Sequence, residues 1–492
     1  MAKSKGGAVL SFIAIDRRSS MPIYRQLEEA FRRAILSHRL RSGARLPATR
    51  QLADDLGVSR LTVKNVYEQL MAEGYMSAVR GAGTYVADIA PPDLPPDSKA
   101  PAPRASPPHR AASQRSIGIA RTKAITRLHS TLPFRPGVPA LDLFPRRLWA
   151  GMTSRAIRNC DSSDLGYGPP GGLPVLKAAI ADMVRDMRGV VCEAEQIVVT
   201  AGAQQAFTLI AFTLLNPGDI VWCEDPGHVA GRDAMRILGS DVRSVPIDED
   251  GFDLDHAMAH NPEAKLIFAT PSHQHPLGVT MSLKRRLDLL DYAHRHGCWI
   301  IEDDYDSEYR YRGRPLPALQ GLDEHGHVIY VGTFSKTLFP AVRLGYLIAP
   351  PDHVEAFAAG QSLLSQNVSA LTQNVVARFL GDGAYLAHIR KMRSAYKERR
   401  DCLIDNLERR ARGLLDCRPT DAGMHLVAWL NGCDDRVAAQ AIWRAGIDCL
   451  PLSMYCDKRR IDDGLMLGFA CAPENHIPAH VEGLVRALEA AL

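Results

Sequence analysis

A chain of 492 residues, 46% hydrophobic and 23% charged, has room for about two to four domains and the composition of an ordinary folded protein. That excludes a disordered or fibrous chain, and no apolar run is long enough to span a bilayer. Net basic charge sits at one end: residues 1–90 hold 14 Lys and Arg against 8 Asp and Glu, while the whole chain is +4. The distribution points to a polyanion-binding module joined to a body that lacks this property. No apolar core or cleavage site follows the basic N-terminus, so no signal peptide is expected. Ten cysteines without a C-x-x-C pair suggest reduced thiols in the cytoplasm, and no metal site is expected.

Residues 22–38 place Ile23, Leu27, Ala30, Phe31, Ala34 and Ile35 on one helical face, with Pro22 at the first helical position. After the turn through Gly43 and Pro47, Thr49 is expected to cap a short helix over 50–56. Ser59 is expected to cap the next, which carries Val63, Val66, Tyr67 and Leu70. Two short helices joined by a glycine turn, with Arg60, Thr62 and Lys64 near the second helix's start, form a helix-turn-helix pattern. Strands 76–79 and 84–86 around Arg80-Gly81-Ala82-Gly83 complete a winged hairpin. This pattern resembles the winged helix-turn-helix of the GntR superfamily over residues 20–87, down to its Leu46-Pro47-x-x-Arg50 turn. The resemblance implies a double-stranded DNA contact through Arg45, Arg50, Ser59, Arg60, Thr62, Lys64 and Gly81. Arg60 is the candidate for a guanine edge, and Lys64 and Arg45 for phosphates.

Eight prolines between Pro91 and Pro108 predict an extended, semi-rigid linker. The expected division is therefore a DNA-binding domain over 1–88, a linker over 89–120 and a body over 121–492. In the body, strands are expected at 197–200, 220–224, 265–270, 299–303 and 328–331. Helices are expected over 173–187, after Ala201-Gly202-Ala203-Gln204, and over 282–296. Strand–helix alternation on this scale gives a mostly parallel sheet covered on both faces, followed by a smaller α+β domain over 355–492. The turn at Gly202 puts free N–H groups and a helix dipole toward an anion.

The organising stretch is Thr333-Phe334-Ser335-Lys336, followed by Arg343. A lysine just past a strand end, flanked by two hydroxyls and an arginine, suits a phosphorylated aldehyde: the amine forms a Schiff base and the others hold the phosphate. Together with Ser272-His273-Gln274 and Glu302-Asp303-Asp304-Tyr305-Asp306-Ser307-Glu308, residues 130–492 resemble a fold-type I aminotransferase. The joined chain resembles the MocR/GabR family. The fold class implied is multidomain, a winged helix-turn-helix (α+β) joined to an α/β fold-type I PLP-dependent transferase-like body with a small C-terminal α+β domain.

The resemblance further implies pyridoxal 5'-phosphate as cofactor. Lys336 would be its Schiff-base residue. Asp303, with Asp304 as runner-up, would pair with the ring nitrogen, and Tyr305 would bond the ring oxygen. His228 would stack on the ring, and His275 would stand where an asparagine is usual. Gly202, Ala203, Gln204, Thr333, Ser335 and Arg343 would cradle the phosphate, with Tyr167 reaching it across a homodimer interface. Ala201 and Ala203 replace hydroxyl residues, and Met466 replaces the arginine that clamps a substrate carboxylate. Either another arginine (Arg232 is one candidate) serves, or the ligand lacks a carboxylate there. An altered substrate site beside retained cofactor residues favours sensing over turnover. The expectation is a cytoplasmic regulator binding paired DNA half-sites and responding to an amine, an amino acid or the cofactor itself. The alternative is a working aminotransferase with an accessory DNA-binding domain.

Overall fold

The strand-end position of Lys336 is produced by an eight-stranded sheet in the larger of two compact units, Met1–Ala111 and Ala112–Leu492. The computed structural model describes residues 13–79, 81–88, 113–120, 122, 130–313, 316–418, 420–458 and 461–491. The proline-rich run from 91 to 108 and Arg80 lie outside the described residues.

In the first unit, helices Ile23–Leu36, Thr49–Leu56 and Arg60–Ala72 pack on the hairpin β1 (Met76–Val79) and β2 (Gly83–Val86). Leu27, Phe31, Val63, Val66, Tyr67 and Leu70 fill the core, with Phe31 edge-on to Tyr67 at 5.8 Å. Arg32 and Glu73 join the first and third helices through a forked ion pair at 2.8 and 2.7 Å. Thr49 does not cap its helix. Ala48 holds the cap position without a side-chain bond and Thr49 is already helical, so the turn ends one residue earlier than expected. Pro22 likewise stands at the cap rather than inside the first helix.

The body's main sheet comprises β3 (Ile197–Thr200), β4 (Ile220–Asp225), β5 (Asp241–Asp248), β6 (Gly251–Phe252), β7 (Leu266–Ala269), β8 (Trp299–Asp304), β9 (Val328–Thr333) and β10 (Gly345–Ile348). Its order is β3-β10-β9-β8-β7-β4-β5-β6. Strands β4, β5, β7, β8 and β9 run parallel, while β10 lies antiparallel between β3 and β9. Strands buried on both faces read as apolar runs, such as Val328-Ile329-Tyr330-Val331. The second sheet, antiparallel, orders β11 (Leu415–Cys417), β12 (His425–Leu430), β14 (Gly464–Gly468) and β13 (Leu450–Pro451). Helices Ala384–Arg410 and Ile477–Glu489 accompany it. Residues 114–120, expected as extended linker, form a short helix that Ser113 caps through the Ser116 amide. The stretch lies beyond the last proline, so nothing there removes a backbone donor.

Candidate functional site

The carboxyl ends of β8 and β9 meet the turn after β3 around a cavity of about 300 Å³, the position ligands take in open α/β sheets. Of the residues singled out in the sequence, Lys336, Asp303, Tyr305, His275, His228, Gly202, Ala203, Gln204, Thr333, Ser335 and Arg343 all line it. Tyr167 does not: within one chain it is 87% exposed and away from the cavity.

Lys336 leaves the end of β9 and donates its amine to the Gly137 carbonyl at 2.9 Å. Removal from water lowers the amine below its ordinary value; Asp306 and Asp303 oppose that, and Arg135 adds to it. Gly137 has a φ of +75°, and a β-carbon there would lie 2.7 Å from the lysine nitrogen. Only a glycine leaves room for the amine. Asp303 faces the cavity from β8, with burial first and the Asp304 and Glu224 charges next raising its carboxyl well above the usual range. Asp304 points to the other face, where it takes Arg188 at 2.7 Å and the Tyr330 hydroxyl at 2.6 Å. Adjacent strand residues must diverge in this way. Thr333 accepts the Ser335 amide at 3.2 Å, which curls the chain toward Lys336.

Gly202, at φ +101°, caps the helix Ala203–Leu214 without any side-chain bond. The first helical amides therefore start unpaired. Arg343, in the left-handed conformation at φ +48°, brings its guanidinium 3.8 Å from where a Gly202 β-carbon would be. Gly345 of β10 passes so close to Gly202 that a β-carbon would lie 2.9 Å from its backbone. That contact ties the anion-facing turn to the strand pair carrying Lys336.

Aromatic rings form the opposite wall. His228 caps the helix Val229–Ile237, its Nδ1 accepting the Gly231 amide at 3.0 Å, and burial lowers it to about 4. His275 is surrounded edge-on by His228, Tyr305, His425 and Tyr455 at 5.0–5.6 Å. Its buried Nδ1 has no partner among the described residues, and burial holds the imidazole far below its ordinary value. The Tyr305 hydroxyl lies 3.0 Å from His273 Nδ1, which also meets Asp306 at 3.1 Å. Met424, Leu450, Met454, Tyr455 and Met466 add to the lining.

Arg232 is not a cavity residue. It is buried against the Tyr455 carbonyl at 3.1 Å and Asp457 at 4.0 Å, so the candidate substitute clamp is already committed. Residues 455–458 are held elsewhere too: Asp225 accepts the Asp457 and Lys458 amides at 2.8 and 2.9 Å, and Ser244 donates to Asp457 at 2.9 Å. Sequence reasoning missed Arg135 and Gly137. Their signal is only the Arg-Pro-Gly triplet, 199 residues before Lys336.

In the first unit, Arg60 and Arg50 are exposed. Ser59 accepts the Thr62 amide at 3.0 Å, and the two hydroxyls lie 2.8 Å apart, so both shape the helix start. Lys64 pairs with Glu68 at 3.5 Å, an exposed contact of little strength. Arg45 bridges to Tyr85 at the wing base, and Gly81 at φ +80° forms the tip with open space before it.

Against known proteins, residues 150–459 match aminotransferase class I and II, and residues 23–86 match bacterial regulatory proteins, gntR family. The chain is 39% identical over 462 residues to the probable rhizopine catabolism regulatory protein MocR of Rhizobium meliloti, covering 93% of this chain and 92% of that one. It belongs to the MocR family of regulators. This MocR-type chain is also 34% identical over 464 residues to the HTH-type pyridoxine biosynthesis transcriptional regulator PdxR of Corynebacterium glutamicum, covering 94% and 95%. Its body resembles the kynurenine aminotransferase of Pyrococcus horikoshii at TM-score 0.67 and 26% identity, covering 78% of this chain and 96% of that one. LysN, the alpha-aminoadipate aminotransferase of Thermus thermophilus, solved with N-(5'-phosphopyridoxyl)-L-leucine, matches at TM-score 0.70 and 25% identity, covering 76% and 97%. The MocR-type chain is a DNA-binding transcriptional regulator with a fold-type I aminotransferase body, and its cofactor is pyridoxal 5'-phosphate.

The cavity fits that cofactor. A buried carboxyl at Asp303 wants a cationic N–H partner, and the unpaired helix start beside Arg343 wants an anion. His275 offers an unsatisfied ring nitrogen. Among the described residues no cluster of three or more His, Cys, Asp or Glu could hold a metal, and no helix is long and apolar enough to cross a membrane.

Proposed function

We propose that this regulator senses a small amine-bearing ligand at Lys336 and passes the result to its reading head as a change in DNA affinity. The supporting observation is one amine, Lys336, held on the Gly137 carbonyl inside a cavity whose remaining polar groups suit one phosphorylated ring. When bound, pyridoxal 5'-phosphate supplies an aldehyde that exchanges amines and a ring that withdraws electrons. The chain's residues do the rest. Lys336 presents an amine whose neutral form burial favours. Asp303 would hold a proton at the ring nitrogen, and Tyr305, positioned by His273, would bond the ring oxygen. His275 would serve the ring oxygen beside Tyr305, and His228, a neutral imidazole, would stack on the ring. The amides of Ala203 and Gln204 after Gly202, the hydroxyls of Thr333 and Ser335, and Arg343 would hold the phosphate.

The working form is a homodimer in which Tyr167 reaches the partner's phosphate. Its exposed ring, with exposed Leu165 beside it, suits a surface that a second copy covers. Two heads then read paired half-sites, in the cytoplasm where the DNA is, and tethering multiplies their affinity. The amine ligand regulates by favouring one head arrangement over another by about 1–3 kcal/mol. Domain limits of 1–88, 89–120 and 121–492 accompany this reading. The test is operator binding by apo, cofactor-loaded and amine-treated protein, with a single half-site as control. Equal affinities in all three states would leave the body as an enzyme with an attached DNA-binding domain.

A further inference from the structure

The sensing reading leaves open how an effector is told from any other amine. Among the described residues the cationic side chains lining the cavity are Lys336, Arg343 and Arg135. Lys336 is the amine site, and Arg343 lies against the anion-facing turn at Gly202. Arg135 remains.

Its placement is specific. Residues 134–137 cross the end of β14: the Gly468 amide donates to the Phe134 carbonyl at 2.7 Å, and a β-carbon on Gly468 would lie 2.3 Å from the Arg135 carbonyl oxygen. Met466 and Gly468 share one face of β14. Arg135 thus enters from a neighbouring segment beside Met466, where an apolar side chain leaves space and no charge. Two residues further on, Gly137 holds the Lys336 amine. Arg135 is only 8% exposed, and one of its terminal nitrogens meets Asp448 at 3.2 Å. Among the described residues its other guanidinium nitrogens have no hydrogen-bond partner, and they are not sealed off from solvent-sized space. Arg135 lines the same cavity as the Lys336 amine and the Tyr455 ring.

We propose that Arg135, steadied by Asp448, anchors an acidic group on the effector, so that the ligand is an amino acid rather than a plain amine. A guanidinium backed by one carboxylate still presents a free edge of parallel N–H donors, the geometry that takes a second carboxylate in a forked pair. Replacing water there is favoured because a nearly buried guanidinium with unused donors gains a charge-assisted partner. Met424, Leu450, Met454 and Met466 then surround the rest of the ligand with apolar surface. This proposal rests on the reading that the amine exchanges at Lys336.

The test uses cofactor-loaded full-length protein and matched probes: leucine with 3-methylbutylamine, phenylalanine with 2-phenylethylamine, and β-alanine with ethylamine. The readout is the probe concentration that half-shifts the cofactor's visible absorbance. In at least one pair the acid should act at about 10- to 100-fold lower concentration than the amine. Arg135→Gln should remove that ratio, so that acid and amine half-shift the band at similar concentrations. Asp448→Asn, which breaks the ion pair but keeps the cation, should retain the ratio, an outcome a purely structural role for Arg135 does not give. In the unaltered protein, 4-methylpentanoate should compete with leucine, a result independent of whether any variant folds. A preserved ratio in Arg135→Gln, equal responses within every pair, no response to any probe, or no competition would overturn the assignment. Those results would leave the wider reading intact so long as Lys336→Ala loses the visible band and cofactor still shifts DNA affinity.

Discussion

Asp303 and Asp304 are consecutive, yet one faces the cavity and the other is locked to Arg188 at 2.7 Å on the opposite side of β8. The same side chain therefore has two roles. Asp303→Asn should weaken cofactor binding by about 1.5–3 kcal/mol, the size of a charge-assisted hydrogen bond. It should not lower the melting temperature of the apo protein, because a carboxyl held well above its usual range gains nothing from ionising in the fold. Asp304→Asn should do the reverse, costing about 3–5 kcal/mol of stability by stranding a buried guanidinium. Parallel cofactor titrations and apo melting curves on both variants check this.

Gly137→Ala should silence the lysine without touching it. The new methyl would lie 2.7 Å from the Lys336 nitrogen, so the amine has to leave its carbonyl partner. Lys336→Ala and Gly137→Ala should both lose the visible absorbance of the lysine-bound cofactor. In Gly137→Ala the positive φ adds about 1 kcal/mol of backbone cost. An undiminished visible band in either purified variant would count against the lysine assignment.

Glu224 supplies a pH signature. It is buried near the end of β4, bonded by the Thr270 amide and hydroxyl and by Gln274, and burial raises it to about 7. Its folded value lies above its unfolded one, so its stabilising contribution is full below about 4.5 and fades as pH rises through about 7. Between pH 5 and 8 the stability of Glu224→Gln relative to the unaltered protein should therefore rise, by up to about 3 kcal/mol. Paired melting curves across that range give the answer, and a gap independent of pH would contradict it.

In the reading head, Arg60→Ala should cost about 1–3 kcal/mol on the preferred sequence and relax base preference at one position. Lys64→Ala should weaken all DNA alike and flatten the salt dependence. Ser59→Ala should destabilise the head by about 1 kcal/mol through the lost cap on the Thr62 amide. Binding selections on random duplexes at two salt concentrations distinguish these three outcomes.

Much of this was legible in the sequence because it is local. A lysine three residues beyond the end of a strand, a helix starting at a bare glycine, and the two-residue alternation that separates Asp303 from Asp304 all follow from short-range rules. Arg232 looked available because its partners, the Tyr455 carbonyl and Asp457, lie more than 200 residues away. Arg135 was invisible for the same reason: its value comes from crossing β14 beside Met466, a meeting of segments over 300 residues apart. Thr49 and Ala48 differ by one residue in a turn where either could begin the helix, and propensity alone does not choose between them.

The fastening of residues 455–458 to Asp225, Arg232 and Ser244 has a consequence for how a ligand would be admitted. A wall anchored at several points to rigid strand ends is a mould with its shape set beforehand, rather than a jaw that shapes itself on its prey. An occupant then spends little of its binding energy on ordering loops. A molecule of the wrong outline is turned away at the door instead of failing a later step. Discrimination of that kind suits a protein that has to answer whether something is present, not how fast it can be changed.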